Sequence, residues 1–342
     1  MKNYIIAAMI GLTCMTSHAQ NVTLFGVIDT SYQSYNNGTN RFSRAGDQGY
    51  AFSRFGFRGS EDLGNGLRAL YELEAQLNPS SGQLGTTTPT TNEIFSREAW
   101  AGLAGRMGEV RLGRTDVSWS SEIDLFSGYN VTWNATPING SPIEMGVDTK
   151  NTVRYTTPNI NGLQVMVGHA FGNNHGSAAD TDTSQTGASA TYRKGNLKLG
   201  AGWHKADAAT KAAQRDMQAY GVGYDFGKVQ ASLMHARGDN STTDDVTSKS
   251  SVASVKFPLP SAMALTFSYF TAEDGTKLTA NSGKGYLIGA TKDLSKRTRL
   301  YAGYATVKNQ ANSAMYLNQI TNAPAVLGGD TSATFVGINH RF

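Results

Sequence analysis

The sequence predicts an all-β membrane protein, a sixteen-stranded antiparallel transmembrane β-barrel. Three observations predict it: apolar and polar residues alternate with a period of two, short and long connections alternate, and an export signal precedes a cysteine-free chain. The 342 residues include 38 Gly, 15 Tyr and 14 Phe but only 8 Pro. This composition suits long strands that are joined by tight turns.

Residues 1–19 have the pattern of a signal peptide. Lys2 supplies the positive charge, residues 4–12 form the apolar run, and Ser17-His18-Ala19 resembles a cleavage site. A transmembrane anchor is the alternative, but the run is shorter than the ~20 residues that a helix needs. Cys14, the only cysteine, leaves with this segment. Residues 20–342 are then expected to form one exported barrel domain without disulfides.

Period-two alternation continues from residue 22 to the end of the chain. In residues 263–271, for example, Leu265, Phe267 and Tyr269 share one face, and small or hydroxyl-bearing residues share the other. No apolar stretch beyond residue 20 is long enough for a spanning helix. Because only helices and closed barrels satisfy every backbone group in lipid, an exported chain of this kind is either a barrel or a soluble β-sandwich.

The lengths of the connections favour the barrel. Short turns on one rim and long loops on the other are typical of transmembrane barrels. Seven short connections are predicted at residues 60–65, 104–108, 158–161, 194–195, 227, 258–261 and 294–296. Eight long connections are predicted near residues 36–49, 79–92, 116–149, 172–185, 206–216, 238–248, 273–283 and 309–331. Fifteen connections make sixteen strands, with both chain ends on the short-turn rim.

The last strand, predicted over residues 332–342, ends the chain on an aromatic residue. Val336, Ile338, His340 and Phe342 alternate on one face. This is the pattern that the outer-membrane barrel-assembly machinery recognises, so it predicts a Gram-negative outer-membrane location. Other aromatic residues recur near predicted strand ends, including Phe25 and Trp100, and are expected to form belts at the two lipid interfaces.

The chain resembles the Gram-negative general porins, specifically the trimeric family of neisserial and related beta-proteobacterial outer membranes. The most specific block is Ser-Arg-Phe-Gly-Phe-Arg-Gly to Gly-Asn-Gly, within residues 53–66. Further matches are residues 22–29, 96–103, 110–114, 153–155 and 340–342. The resemblance implies a homotrimer surrounded by outer-membrane lipid and lipopolysaccharide. It also implies a water-filled channel for passive diffusion of small hydrophilic solutes and ions, with no cofactor and no enzymatic activity.

The resemblance further implies that the third long loop, residues 116–149, folds inward and narrows the channel. This loop is acidic, with no Lys or Arg before Lys150; its carboxylates are Asp116, Glu122, Asp124, Glu144 and Asp148. It lacks the Pro-Glu-Phe-Gly-Gly signature of enterobacterial porins, and residues 124–128 stand in the comparable region.

A basic wall opposite this loop is predicted from alternation. Ser53, Phe55 and Phe57 share one face of their strand, so Arg54 and Arg58 lie on the other. Arg111 and Arg154 each lie between apolar neighbours that are expected to face lipid. An arginine that faces the bilayer midplane costs ~2–4 kcal/mol, so these four should face the lumen. Arg97 joins the set from the resemblance alone. An acidic loop opposite a basic wall would place a transverse field across the constriction.

Several alternatives remain open at this point. A substrate-selective channel, an outer-membrane barrel enzyme and a secreted β-sandwich are the competing functions. His169 and His175 have no further ligands at metal-binding spacing, and no nucleophile or phosphate-binding motif is present. The net charge of +4 falls to about +3 when Lys2 is removed, which makes nucleic acid an improbable partner and favours weak anion selectivity.

Overall fold

The computed structural model describes residues 22–47, 49–84, 93–117, 138–139, 148–172, 184–207, 215–240, 247–273, 281–317 and 324–342. Among these residues, no helix is long and apolar enough to cross a membrane. The predicted signal peptide lies outside the described residues. The barrel strands are β1 (Thr23–Asn36), β2 (Arg41–Asp47 and Arg54–Gly64), β3 (Leu67–Asn78), β4 (Glu98–Gly105), β5 (Gly108–Asp116), β6 (Asp148–Thr156), β7 (Leu163–Ala170), β8 (Gln185–Lys194), β9 (Leu197–Ala206), β10 (Arg215–Asp225), β11 (Gln230–Asn240), β12 (Thr247–Leu259), β13 (Met263–Glu273), β14 (Ser282–Asp293), β15 (Thr298–Asn309) and β16 (Thr331–Arg341).

Each strand pairs antiparallel with the next, and β16 pairs with β1 to close the sheet. The sheet has 18 segments, of which two are the halves of β2 and one is the two-residue extension Gln83–Leu84. Sixteen barrel strands remain within the described part of the chain, which confirms the predicted fold class.

Side chains alternate between the outside and the lumen along each strand. Large apolar side chains dominate the outer face; Leu112, Ile288 and Val336 are 56%, 51% and 54% exposed. On a membrane barrel this face meets the acyl chains, so the alternate residues face the lumen.

The connections follow the predicted alternation, with one exception. The turn between β2 and β3 is Asn65-Gly66, with φ of 55° and 77°, as a tight two-residue hairpin requires. The first long connection, expected over 36–49, is instead the short hairpin 37–40. Its physical reason is the side chain of Asn37, which accepts hydrogen bonds from the backbone N of Thr39 and Asn40 at 3.2 and 2.8 Å.

A break in β2 takes the place of that loop. We call residues 49–53 the inward bulge, because they pack on the lumen side of β1 and β15. Tyr50 donates its backbone N–H to Asp29 Oδ1 at 3.0 Å. Asp29, which is fully buried, also accepts from Tyr301 Oη and Asn339 Nδ2, both at 2.8 Å. One buried carboxylate therefore ties β1, β15, β16 and the inward bulge together.

The lumen side of β10–β16 carries an apolar patch, which differs from the small or polar face that the sequence predicts. Aromatic rings lie flat here against glycines of the next strand; an added Cβ at Gly285 would lie 2.5 Å from Phe270 and one at Gly303 would lie 2.6 Å from Phe335. The patch is buried because its members pack on one another and on Met315 of the last long connection. Its members are Tyr35, Met217, Ala219, Met234, Ala236, Val252, Phe270, Ala272, Leu287, Tyr301, Ala305, Val307, Met315, Ala333 and Phe335.

The connection between β3 and β4 is held to the barrel by an ion cluster. Glu93 pairs with Arg114 Nη1 at 3.1 Å and with Lys150 Nζ at 2.5 Å. The hydrogen bond from the Lys150 ammonium holds the pKa of the Glu93 carboxyl below its usual value.

The seam between β1 and β16 is completed by the last residue. Gly26 and Phe342 exchange two backbone hydrogen bonds, each 3.1 Å long, and the Phe342 ring lies over Gly26. Val336, Ile338 and His340 share the outer face with Phe342, as the alternation predicts. Their role as an assembly signal stays a prediction.

We predict that Gly26→Val displaces the Phe342 ring, because a Cβ at Gly26 would lie 2.3 Å from Phe342 Cζ. The lost packing should destabilise the seam by about 1–3 kcal/mol. The measurement is the temperature at which the folded barrel converts to the unfolded band on SDS gels. Ser34→Val adds similar bulk to the same face of β1 and should leave that temperature unchanged. Equal temperatures for Gly26→Val and the wild type would contradict the predicted role of the ring.

Candidate pore-lining site

The arginines of the predicted basic wall lie together on the lumen side of β2–β6. Arg54 and Arg58 lie on β2, and Arg111 and Arg154 are cross-strand neighbours on β5 and β6. Glu72 of β3 pairs with Arg58 in register and lies within electrostatic range of Arg54 and Arg111. The structure therefore brings these four arginines into one charged surface.

Arg97 lies one residue before β4, outside the residue pairs of the β3–β4 ladder, and its side chain joins the same surface through Glu74. The Glu74 carboxylate pairs with Arg97 Nε at 2.5 Å and with Arg54 Nε at 3.2 Å. The Arg97 guanidinium lies 5.4 Å from the ring centroid of Phe52, in the inward bulge. Arg54 Nη1 also donates to the Phe52 carbonyl at 2.9 Å. The bulge thus helps to orient two of the five arginines.

Two aromatic residues that we expected in the lipid belts lie in the lumen instead. The Arg111 guanidinium lies 4.0 Å from the ring centroid of Trp100, and that of Arg58 lies 4.9 Å from that of Phe25. The belt prediction is wrong for Phe25 and Trp100 because both occupy inward positions, where their faces attract the guanidinium charges. Such contacts fix the direction of the long arginine side chains.

Sequence reasoning missed the carboxylates of this wall. Five arginines stand against four lumen-facing glutamates, so the formal charge is 5 − 4 = +1; the glutamates are Glu72, Glu74, Glu98 and Glu109. Glu109 forms an ion pair with Arg111. The alternation of Glu72 and Glu74 with Tyr71 and Leu73 is a signal that could have placed two of them inside.

The predicted acidic loop falls mostly outside the described residues, as do Glu122, Asp124 and Glu144. Asp116 and Asp148 belong to the strands rather than to the loop, because they form the last residue pair of β5 and β6. Asp116 is buried at this point. The expected loop bounds of 116–149 are therefore corrected to 117–147 by the extra ladder pairs.

Two contacts describe how this connection leaves and crosses the barrel. Val117 packs on the lumen side of β7 at Gly168, where an added Cβ would lie 3.1 Å from Val117 Cγ1. Further on, Ile138–Asn139 pairs antiparallel with Tyr316–Leu317 of the connection between β15 and β16. The two connections leave the barrel on different sides, six strand positions apart by the shorter route. Residues 138–139 and 316–317 nevertheless lie side by side.

No group of three or more His, Cys, Asp or Glu residues in the described ranges could hold a metal ion. His169 contacts Thr186 Oγ1 at 2.8 Å, within the barrel wall. His175 lies outside the described residues.

Comparisons with known proteins agree with this architecture. A family model described as Gram-negative porin matches residues 6–312. Outer membrane porin protein 32 of Delftia acidovorans is 29% identical over the full length of both chains. The major outer membrane protein P.IB of Neisseria gonorrhoeae is 26% identical over 87% of this chain and 91% of that one.

Solved structures give the same result. The anion-selective porin from Comamonas acidovorans has a TM-score of 0.77 and 25% identity, and the match covers 94% of this chain and 100% of that one. Porins are channels rather than enzymes, and they reside in the outer membrane of Gram-negative bacteria. The closed barrel with its charged lumen and the full-length family match lead to one conclusion: the chain belongs to the Gram-negative porin family.

Proposed function

We propose that the protein is a general diffusion pore that passes small hydrophilic solutes and ions with a preference for anions. The observation that carries this proposal is the closed sixteen-stranded barrel, which is too wide for side chains to fill. Arginines supported by aromatic rings line one side of its lumen. The solved porin that the chain resembles is described as anion-selective, which supports the direction of the preference.

The constriction is formed, in this proposal, between residues 117–147 and the arginine wall. Two observations support it: Val117 lies on the lumen side of β7, and Ile138–Asn139 pairs with a loop from a distant part of the barrel. Glu122, Asp124 and Glu144 would then supply negative charge opposite Arg54, Arg97 and Arg154. Polar solutes align in such a transverse field, which makes the pore a filter of polarity as well as size.

The functional form is proposed to be a homotrimer in outer-membrane lipid and lipopolysaccharide, reached after cleavage of residues 1–19. Among the similar structures is a Vibrio cholerae OmpT described as a trimer form, which supports this assembly. The outward alternation that ends at Phe342 is proposed as the signal for the barrel-assembly machinery. Light scattering of the protein in detergent measures the number of chains.

We predict stepwise conductance in planar bilayers and a reversal potential that favours chloride under a KCl gradient. Arg54→Ala with Arg154→Ala should shift the permeability ratio toward cations by about two- to threefold, the effect of a local potential change on the order of half kT. Arg237→Ala removes one positive charge from the outer face of β11 and serves as the control for a charge change outside the lumen. Absent conductance or a strong cation preference would refute the proposed function.

Removing a carboxylate from the wall should act in the opposite direction. Glu74→Gln leaves Arg54 and Arg97 without their shared counter-charge. We expect the permeability ratio to shift toward chloride by about two- to threefold, since the wall gains one positive charge. Glu273→Gln makes the same chemical change on the outer face of β13. Matching reversal potentials for the two variants would exclude Glu74 from the conducting path.

The path of the constriction loop can be tested by a disulfide. Asn139 and Tyr316 are paired residues of an antiparallel ladder, where Cα atoms lie about 4.5–5.5 Å apart, within the range for a disulfide. Asn139→Cys with Tyr316→Cys should therefore cross-link in high yield, seen as a mobility shift on non-reducing gels. Asn139→Cys with Thr334→Cys, on the outer face of β16, should not. Failure of the first pair to oxidise would argue against a loop that spans the opening.

A further inference from the structure

The lumen carries a second group of cations at the rim with the short turns, which faces the periplasm in outer-membrane barrels. On β8–β16 near this rim, five lumen-facing cations stand against two carboxylates, a formal charge of 5 − 2 = +3. The cations are Arg193, Lys198, Lys256, Arg299 and Arg341, and the carboxylates are Asp225 and Asp293. The formal charge of +3 at this rim exceeds the formal charge of +1 of the arginine wall.

These cations interact with one another electrostatically. Lys256 has Arg299 and Lys198 as like-charged neighbours and Asp293 as the opposing charge. Lys198 is paired in register with Arg193. Because these like charges lie close together, they repel one another. A bound anion would reduce this repulsion.

A cavity of about 110 Å³ lies in this rim, beside the turn between β14 and β15, and two of the five cations, Arg299 and Arg341, line it. It is lined by Asp293, Ser295, Lys296, Arg297, Thr298, Arg299, Asn339 and Arg341. A water molecule occupies about 30 Å³ of liquid, so the cavity has room for about three to four waters or for one small oxyanion.

The charged groups that line this cavity differ in whether they form ion pairs. Arg299 is held by Asp293, with Nε at 2.5 Å and Nη2 at 2.9 Å from the two carboxylate oxygens. Lys296, Arg297 and Arg341 are exposed. Arg341 lies within electrostatic range of Asp293, but within the described part of the chain none of the three forms an ion pair with a carboxylate. Asp293 is thus neutralised by one arginine, while three further cations surround the cavity.

We propose that this cavity, between Asp293 and Arg341 at the periplasmic mouth, binds one small oxyanion of the phosphate or carboxylate class. Lys296 supplies a point charge, and Arg297 and Arg341 supply planar donor groups whose geometry matches such oxygens. The binding site depends only on the folded barrel. Its transport consequence, an enrichment of anions at the periplasmic mouth, rests on the proposed pore function.

The test uses the mature protein in detergent, titrated calorimetrically with sodium orthophosphate at constant ionic strength. We expect one site per chain, with the affinity reduced at least tenfold by Lys296→Gln with Arg297→Gln. Both residues lie in the exposed turn between β14 and β15. The Arg297 carbonyl accepts from the backbone N–H of Arg341 at 2.8 Å, a contact that a change of side chain leaves in place. Arg341→Gln provides a second variant and should weaken binding in the same direction.

Lys292→Gln is the matched control, because it removes one positive charge from the same rim on the outer face, where Lys292 donates to the Ser261 carbonyl. The control should bind orthophosphate as the wild type does. Absence of binding to the wild type, or equal loss in the control and in the turn variant, would overturn the proposal.

A bilayer measurement separates this proposal from the pore function. Orthophosphate on the periplasmic side should reduce the chloride current of the wild type and have little effect on the Lys296→Gln, Arg297→Gln variant. A protein that conducts chloride but binds no orthophosphate and shows no block would refute the cavity and leave the pore function standing. Calorimetric binding without any chloride conductance would support the cavity and refute the pore.

Discussion

Every backbone N–H and C=O group within the hydrocarbon layer needs a hydrogen-bond partner, and pairing of β16 with β1 meets that need at the last open edge. The rest of the molecule follows from this closure. A closed sheet has one face toward lipid and one toward the lumen. The position of a residue along its strand therefore decides whether its side chain meets lipid or the lumen. Asp29 can be a buried anchor of the seam because Tyr50, Tyr301 and Asn339 all reach it from within the closed ring.

Away from the rim with the short turns, the lumen is chemically divided around its circumference. The sector β2–β6 carries arginines and glutamates, whereas β10–β16 carries the apolar patch, with side chains such as Leu287 and Ala305 fully buried. Low-dielectric material on one side weakens the screening of charges on the other, so the arginine wall acts at longer range than it would in open water. The inward bulge lies between the two sectors and contacts both, through Phe52 and Tyr50.

Much of the fold is predictable from local patterns. Leu265, Phe267 and Tyr269 alternate with small or polar residues because the closed sheet has one face toward lipid and one toward the lumen. The number of connections gives the number of strands. The short hairpin 37–40 was missed because a single side chain, Asn37, closes it within a segment that reads as polar loop.

The pore-lining surface was less predictable for two reasons. The alternation with a period of two assigns residues to a face only within the paired strands. Arg97 lies outside the β3–β4 ladder and still reaches Glu74. The contacts that organise the lumen also join residues remote in the chain; Asp29 and Asn339 are 310 positions apart. No local pattern carries that information. Alternation could have placed Glu72 and Glu74 in the lumen, whereas Glu98 and Glu109 became visible only when the register of neighbouring strands was known.

The seam has a consequence for biogenesis. One edge of β1 stays unpaired until β16 is present, and the ring that covers Gly26 belongs to Phe342, just beyond β16. A nascent chain that is still being translocated therefore has two unpaired sheet edges, and such edges invite aggregation. The incomplete sheet therefore needs shielding until β16 pairs with β1 and closes the barrel.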